Sequence, residues 1–203
     1  MRLYPLFILM ATITVFSPGP GVLMTLTNSM HYGFRHTIGG IFGIAFGAII
    51  VASISAAGVG VLVATSALAF TILKYIGAAY LTYLGWKLWR SPTFEFGITS
   101  KNEASFGGKF LEGLSLQMTN PKVIFFFLSV FPQFIDRSAN YSAQFSILVL
   151  TYSILVILIH CFYAVLSRHA TQWLTSKSGG RMINKLGGAT FMCFGAALAM
   201  ARR

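Results

Sequence analysis

From Leu3 to Met30 the chain carries no charged residue, and near the centre of that run stands Ser17-Pro18-Gly19-Pro20-Gly21. Proline removes a backbone donor and clashes one turn back, and glycine adds conformational freedom, so no helix runs unbroken through this stretch. In water the stretch would read as a turn. Inside an apolar run long enough to cross a bilayer it reads as a helix broken at membrane depth. Lipid cannot satisfy the freed backbone groups, so such a break survives only where it is buried in protein or lines a cavity. A discontinuous helix near the midplane is a common way for a transporter to build a substrate site.

The composition agrees. Only 9% of the 203 residues are charged, whereas a soluble domain carries about 25%. The acids are Glu95, Glu103, Glu112 and Asp136 alone. The net charge of +11 sits in short links between apolar runs, which points to lipid headgroups and topology and away from nucleic acid. Cys161 and Cys193 fall inside apolar runs and read as small buried hydrophobes, not a disulfide. No small-x-small cleavage site follows the first run, so it reads as a retained span.

A span takes about 20 apolar residues, and six candidates follow: Leu3–Thr27, two between Thr37 and Trp86 with a turn near Ala64-Thr65-Ser66, then Gly113–Ile135, Ser142–Leu166 and Ile183–Met200. The expected architecture is an all-α integral membrane protein in a single transmembrane domain over 1–203, with a loop over 91–109 between a first half (about 1–90) and a second (about 110–203). Nine basic residues (Arg35, Lys87, Arg90, Lys101, Lys109, Arg168, Lys177, Arg181, Lys185) fall in the links on one side and four (Arg2, Arg137, Arg202, Arg203) on the other, which places both termini outside the cytoplasm. In the second span Gly39, Gly43 and Gly47 recur every four residues, a strip of bare backbone suited to close helix packing.

The two halves echo each other. Gly77-Ala78-Ala79, Gly85 and Leu88 match Gly187-Gly188-Ala189, Gly195 and Leu198 at an offset of 110, and Ser17-Pro18 matches Asn120-Pro121 at 103. Two tandem three-helix units lie in opposite orientations, which is the plan of six transmembrane helices as two inverted repeats, with helices 1 and 4 broken at their proline motifs and a site between them. Pro121 follows Glu112 by nine residues, about 14 Å of helix, near the middle of a core about 30 Å thick. Asn120 can replace lost backbone partners with its own amide. Lys122 is the one charge in that span, and a lysine at bilayer centre costs about 2.5–3.5 kcal/mol on insertion scales. Its ammonium could meet broken-helix carbonyls and a substrate carboxylate, exchange a proton during a transport cycle, or serve as a tether that snorkels toward the interface.

Other candidates are weaker. His160 lies deep in the fifth span, where it could relay protons or bond a neighbouring carbonyl. Tyr80 and Tyr83 share one helix face and either line the pathway or pack. Gln117 and Thr119 precede the second break and are candidates for cargo contact. No His-Glu-x-x-His, Gly-x-Ser-x-Gly or paired intramembrane carboxylates occur, which speaks against an enzyme. A metal-cation permease would need clustered ligands that the spans lack. A non-transporting assembly subunit would have no need of two strained helix breaks.

Ser17-Pro18-Gly19-Pro20, the glycine strip after Gly33, Tyr80-Leu81-Thr82-Tyr83-Leu84-Gly85, then Asn120-Pro121-Lys122 with Phe125-Phe126 and Pro132-Gln133-Phe134, resemble in order and spacing the LysE/RhtB family of amino-acid exporters over nearly the whole chain. The resemblance implies a multi-pass protein of the bacterial inner membrane that exports amino acids or close derivatives on the proton gradient, with no cofactor and no metal. It puts the family's motifs on Pro18, Gly19 and Pro20 and on Asn120, Pro121 and Lys122. Protons, lipid, a small amino-acid substrate and a second copy of the chain are the expected partners. A half-helix N-terminus suits a carboxylate, and the scarcity of intramembrane acid favours neutral cargo over basic.

Overall fold

The computed structural model describes residues 3–65, 67–91, 105–136, 139–167, 169, 172, 176 and 178–200, and among them every regular element is helical. Helix α1 (Tyr4–Phe16) starts with a proline in its first turn and ends at Ser17, which turns to extended geometry at ψ 129° while its amide still donates to Ile13. Helix α2 (Pro20–Thr65) is two helices joined at Gly33, where φ of 78° and ψ of 169° leave the helical region. Only glycine takes that conformation without strain. The arms are 20–32 and 34–65. Helix α3 (Ala67–Arg90) follows after Ser66, which lies outside the described residues.

Helix α4 (Phe106–Met118) is capped by the Ser105 hydroxyl, which accepts from the Gly108 amide at 3.1 Å. It starts seven residues before the expected Gly113, because this cap lets the helix begin in the polar link. Helix α5 (Pro121–Phe125) runs into a π turn (Phe126–Val130) and a 3₁₀ turn (Phe131–Phe134). The segments Phe106–Met118 and Pro121–Phe134 meet at 53°. Helices α6 (Tyr141–Val165) and α7 (Gly179–Met200) complete the chain. Asn140 caps α6 by accepting from the Ala143 amide at 3.0 Å.

Pro20–Ala56 and Tyr141–Val165 are each long and apolar enough to cross a membrane, and the bent pair around Asn120 makes a third if it counts as one span. Tyr4–Phe16 is a shorter apolar helix. Helices α3 and α7 carry Lys74, Lys87 and Arg90, and Arg181 and Lys185. The outer face of α6 is apolar: Ile147, Leu150, Ile154, Leu158, Phe162 and Val165 are exposed at helical spacing, while Leu148, Tyr152, Val156 and His160 on the opposite face are buried. A large exposed apolar stripe suits lipid and not water.

Glycines set the inner contacts. The 34–65 arm lies so close to α4 that a Cβ on Gly39 would sit 2.5 Å from the Phe106 carbonyl oxygen, and one on Gly43 would run into the Phe110 carbonyl oxygen. Gly113 meets the Gly40 backbone from the other side. Helices α3 and α7 meet in the same way, Gly85 against Gly188 and Gly195 against Ala78. Helix α6 packs on α1 and α2, and Phe7, Ala11, Leu26, Ala48 and Leu148 at the centre have no exposed surface.

Candidate functional site

The two helix interruptions face each other across Lys122. Its ammonium donates to the carbonyls of Thr14 and Ser17, each at 2.9 Å. Both carbonyls lie where α1 ends, and the Phe16 carbonyl between them accepts from the Tyr163 hydroxyl at 2.8 Å. Three carbonyls of the first break, those of Thr14, Phe16 and Ser17, are therefore paired from α5 and α6. On the other side Asn120 Oδ1 accepts from the Lys122 amide at 3.1 Å and Pro121 takes the first helical position, where a missing donor costs nothing. Gly19 makes room for the ammonium: a Cβ there would lie 3.1 Å from Lys122 Nζ. An ammonium has three donors, so one remains for a further acceptor.

A cavity of about 20 Å³ opens beside this junction, lined by Val15, Gly21, Val22, Ile44, Gln117, Asn120, Lys122, Val123, Tyr152, Val156 and His160. That is room for about one water molecule. Its polar groups are largely unpaired. Among the described residues the Gln117 amide, Asn120 Nδ2, the Tyr152 hydroxyl and His160 Nε2 make no hydrogen bond, though Gln117 is 2% and Tyr152 1% exposed. His160 Nδ1 is engaged by Thr25 Oγ1 at 2.7 Å, which fixes the ring. The amides of Gly21 and Val22, in the first turn of α2, have no acceptor among the described residues either. A helix N-terminus with free amides attracts an anion.

The expected residues divide. Asn120, Lys122, Gln117 and His160 line the cavity. Pro18 and Gly19 form the break beside it and Gly21 reaches it, whereas Pro20 and Pro121 are exposed at the first turns of their helices. Ser17 contributes its carbonyl to Lys122, and its buried hydroxyl, without a partner among the described residues, faces Gly187. Thr119 lies apart: it is exposed and returns its hydroxyl to the Ser115 carbonyl at 2.9 Å. Tyr80 and Tyr83 do not line the cavity. Tyr80 stacks on Phe125 with centroids 3.6 Å apart, and Tyr83 is 51% exposed. Gly39, Gly43 and Gly47 stand at the α2–α4 contact, and a Cβ on Gly47 would come within 2.8 Å of Gln117 Cβ. No sequence pattern marks Tyr152, Thr25 or Tyr163, because tyrosine and threonine in apolar helices look like packing.

Among the described residues, no three His, Cys, Asp or Glu gather where a metal ion could be held. Glu112 lies away from the cavity, paired with Lys109 at 2.9 Å.

Comparison with known proteins gives a consistent result. The profile for LysE type translocators matches residues 12–202. The homoserine/homoserine lactone efflux protein of Salmonella typhimurium is 35% identical over 97% of this chain and 95% of its own. An uncharacterized membrane protein of Vibrio cholerae is 35% identical over 97% and 96%, and the uncharacterized membrane protein YrhP of Bacillus subtilis is 28% identical over 93% and 94%. No solved structure matches the chain.

Proposed function

The chain belongs to the LysE type translocator family, and from that premise we propose that it exports a neutral amino acid or close derivative, of homoserine size, across the cytoplasmic membrane of a bacterium, driven by protons. Membership and the named efflux relatives make it a membrane transporter and not an enzyme. The size of the cargo is taken from those relatives.

The observation that carries the reading is the cavity at the junction of the two interrupted helices. The cargo carboxylate is placed against the free amides of Gly21 and Val22 and the third donor of Lys122. A helix N-terminus and an ammonium give that end positive potential. The cargo ammonium is taken by the remaining lone pair of Asn120 Oδ1. No acid lines the cavity, so a second positive charge on the cargo would go unpaired in a low-dielectric site. His160, held by Thr25 with its other nitrogen toward the cavity, is the proton carrier.

The reading takes the chain as six spans: α1 with the 20–32 arm, the 34–65 arm, α3, α4 with α5 and its two distorted turns, α6, and α7. The α3–α7 contact supports an inverted repeat. Gly85 meets Gly188 and Ala78 meets Gly195, and moving the first member forward and the second back by 110 positions turns one pair into the other. A two-fold relation between halves has that consequence.

Cells loaded with a panel of amino acids test the function. Expression should speed loss of homoserine, and of small neutral analogues more than of lysine or arginine, and an uncoupler should abolish the gain. Export of lysine or arginine with no neutral substrate would overturn it.

A further inference from the structure

Inside the cavity the polar groups are not spread evenly, and their placement assigns them different parts of the cargo. Gly21 and His160 stand together: a Cβ on Gly21 would lie 3.3 Å from His160 Cε1. Tyr152 lies eight residues before His160 on α6, about 12 Å of helix rise. Gln117 belongs to the Tyr152 end. It rests on Gly47, about one turn along the arm from Ile44, which a Cβ on Gly21 would meet at 3.5 Å, and between them the Ala45 carbonyl accepts from Ser153, the neighbour of Tyr152, at 3.3 Å. A cargo whose carboxylate is held at Gly21 extends the rest of its length toward Gln117 and Tyr152, which line the same cavity.

We propose that Gln117 and Tyr152 form the subsite that reads the cargo's side chain, admitting one that ends in a hydroxyl or similar hydrogen-bonding group and rejecting an aliphatic one of the same size. This rests on the export reading above. Two observations carry it. Both residues are nine-tenths or more buried, line the cavity and have no hydrogen-bond partner among the described residues, so their polar groups are free for whatever occupies the cavity. The Tyr152 ring is also immobilised. Its centroid lies 5.1 Å from that of Phe126 and 4.9 Å from that of Phe127, both brought against it by the π turn of the fourth span. A fixed hydroxyl discriminates because an analogue without the matching group leaves it unpaired.

The test uses the full chain in proteoliposomes, with homoserine and norvaline, in which a methyl group replaces the hydroxyl, as the paired probes. Tyr152→Phe and Gln117→Leu keep size and lose the polar atoms. The expected result is a fall in the homoserine to norvaline transport ratio of about tenfold for each, the order for one lost buried hydrogen bond, with norvaline transport raised because no polar group is then left unpaired. Norvaline transport at or above the wild-type rate shows that the variants fold. Equal loss of both substrates would make the residues structural, and an unchanged ratio would make them bystanders; either overturns the proposal. Wild-type protein that moves neither probe overturns the export reading itself, and this proposal with it.

Discussion

Lys122 ties the end of α1 to the start of α5. Its two bonds to the Thr14 and Ser17 carbonyls are charge-assisted, each worth about 1.5–3 kcal/mol, and removing the donor strands both acceptors. Lys122→Met is therefore expected to abolish efflux and to lower the thermal midpoint in detergent, while the protein still reaches the membrane; an efflux assay with an immunoblot of membranes checks both. Thr25 and His160 make a second, separable pair. Thr25→Val removes the bond that fixes the ring, and His160→Gln removes the titrating group. Each should slow efflux, and because they act through one contact the double variant should be no slower than His160→Gln alone; additive losses would mean independent roles. A lone lysine or a pair of prolines is conspicuous in an apolar run, so Pro18, Asn120-Pro121 and Lys122 are readable from sequence. Tyr152 and Thr25 are not, because only the fold reveals that their hydroxyls face a cavity and a histidine.

At the scale of helices, bare backbone decides how closely elements approach. A Cβ on Gly43 would collide with the Phe110 carbonyl oxygen and lie 2.8 Å from the Leu114 amide. Neither is a flexible side-chain end that could move away. Gly43→Leu should cost about 1–3 kcal/mol by overpacking, read as a drop in the detergent melting temperature, whereas Gly107→Ala, whose Cβ would meet nothing within 4 Å, should be neutral or mildly stabilising. The four-residue spacing of Gly39, Gly43 and Gly47 gave this strip away, since a small-residue face recurs at the helical period. Element ends were less legible. Gly33 looks like any other glycine before the strip, and nothing local tells that it takes φ of 78° and divides α2. The π and 3₁₀ turns after Phe125 have no period of their own, so the fourth span reads as a plain helix from Pro121 onward although Phe126–Phe134 is wound differently.

On the scale of the whole molecule, the cavity of about 20 Å³ is too small for an amino acid, so cargo enters only if one side of the bundle opens. Two clusters that do not line the cavity hold the surrounding helices together by different chemistry. In one, Lys109 Nζ binds Asn28 Oδ1 and Glu112, each at 2.9 Å, and lies 4.5 Å from the Tyr32 ring centroid. In the other, Phe7 packs on Phe126, Phe131 and Phe134 with centroids 5.3–6.1 Å apart. Glu112 is 40% exposed, and a bond to it is worth at most about 1 kcal/mol. Each aromatic pair adds about 0.5–1.5 kcal/mol beyond the area it buries. The polar cluster therefore parts more readily, and weakening it should bias the bundle toward opening there. With Cys161 and Cys193 replaced by serine, a cysteine in place of the cavity-lining Val156 reports the opening through its rate of modification by a membrane-impermeant thiol reagent. Glu112→Gln should raise that rate up to about fivefold from one membrane face, the factor that about 1 kcal/mol yields, and leave it unchanged from the other. Phe7→Ala should raise it from the opposite face and by more, because a buried aromatic leaves a cavity as well as a lost contact. Equal rates from both faces in both variants would mean that these clusters pack the bundle without closing a path through it.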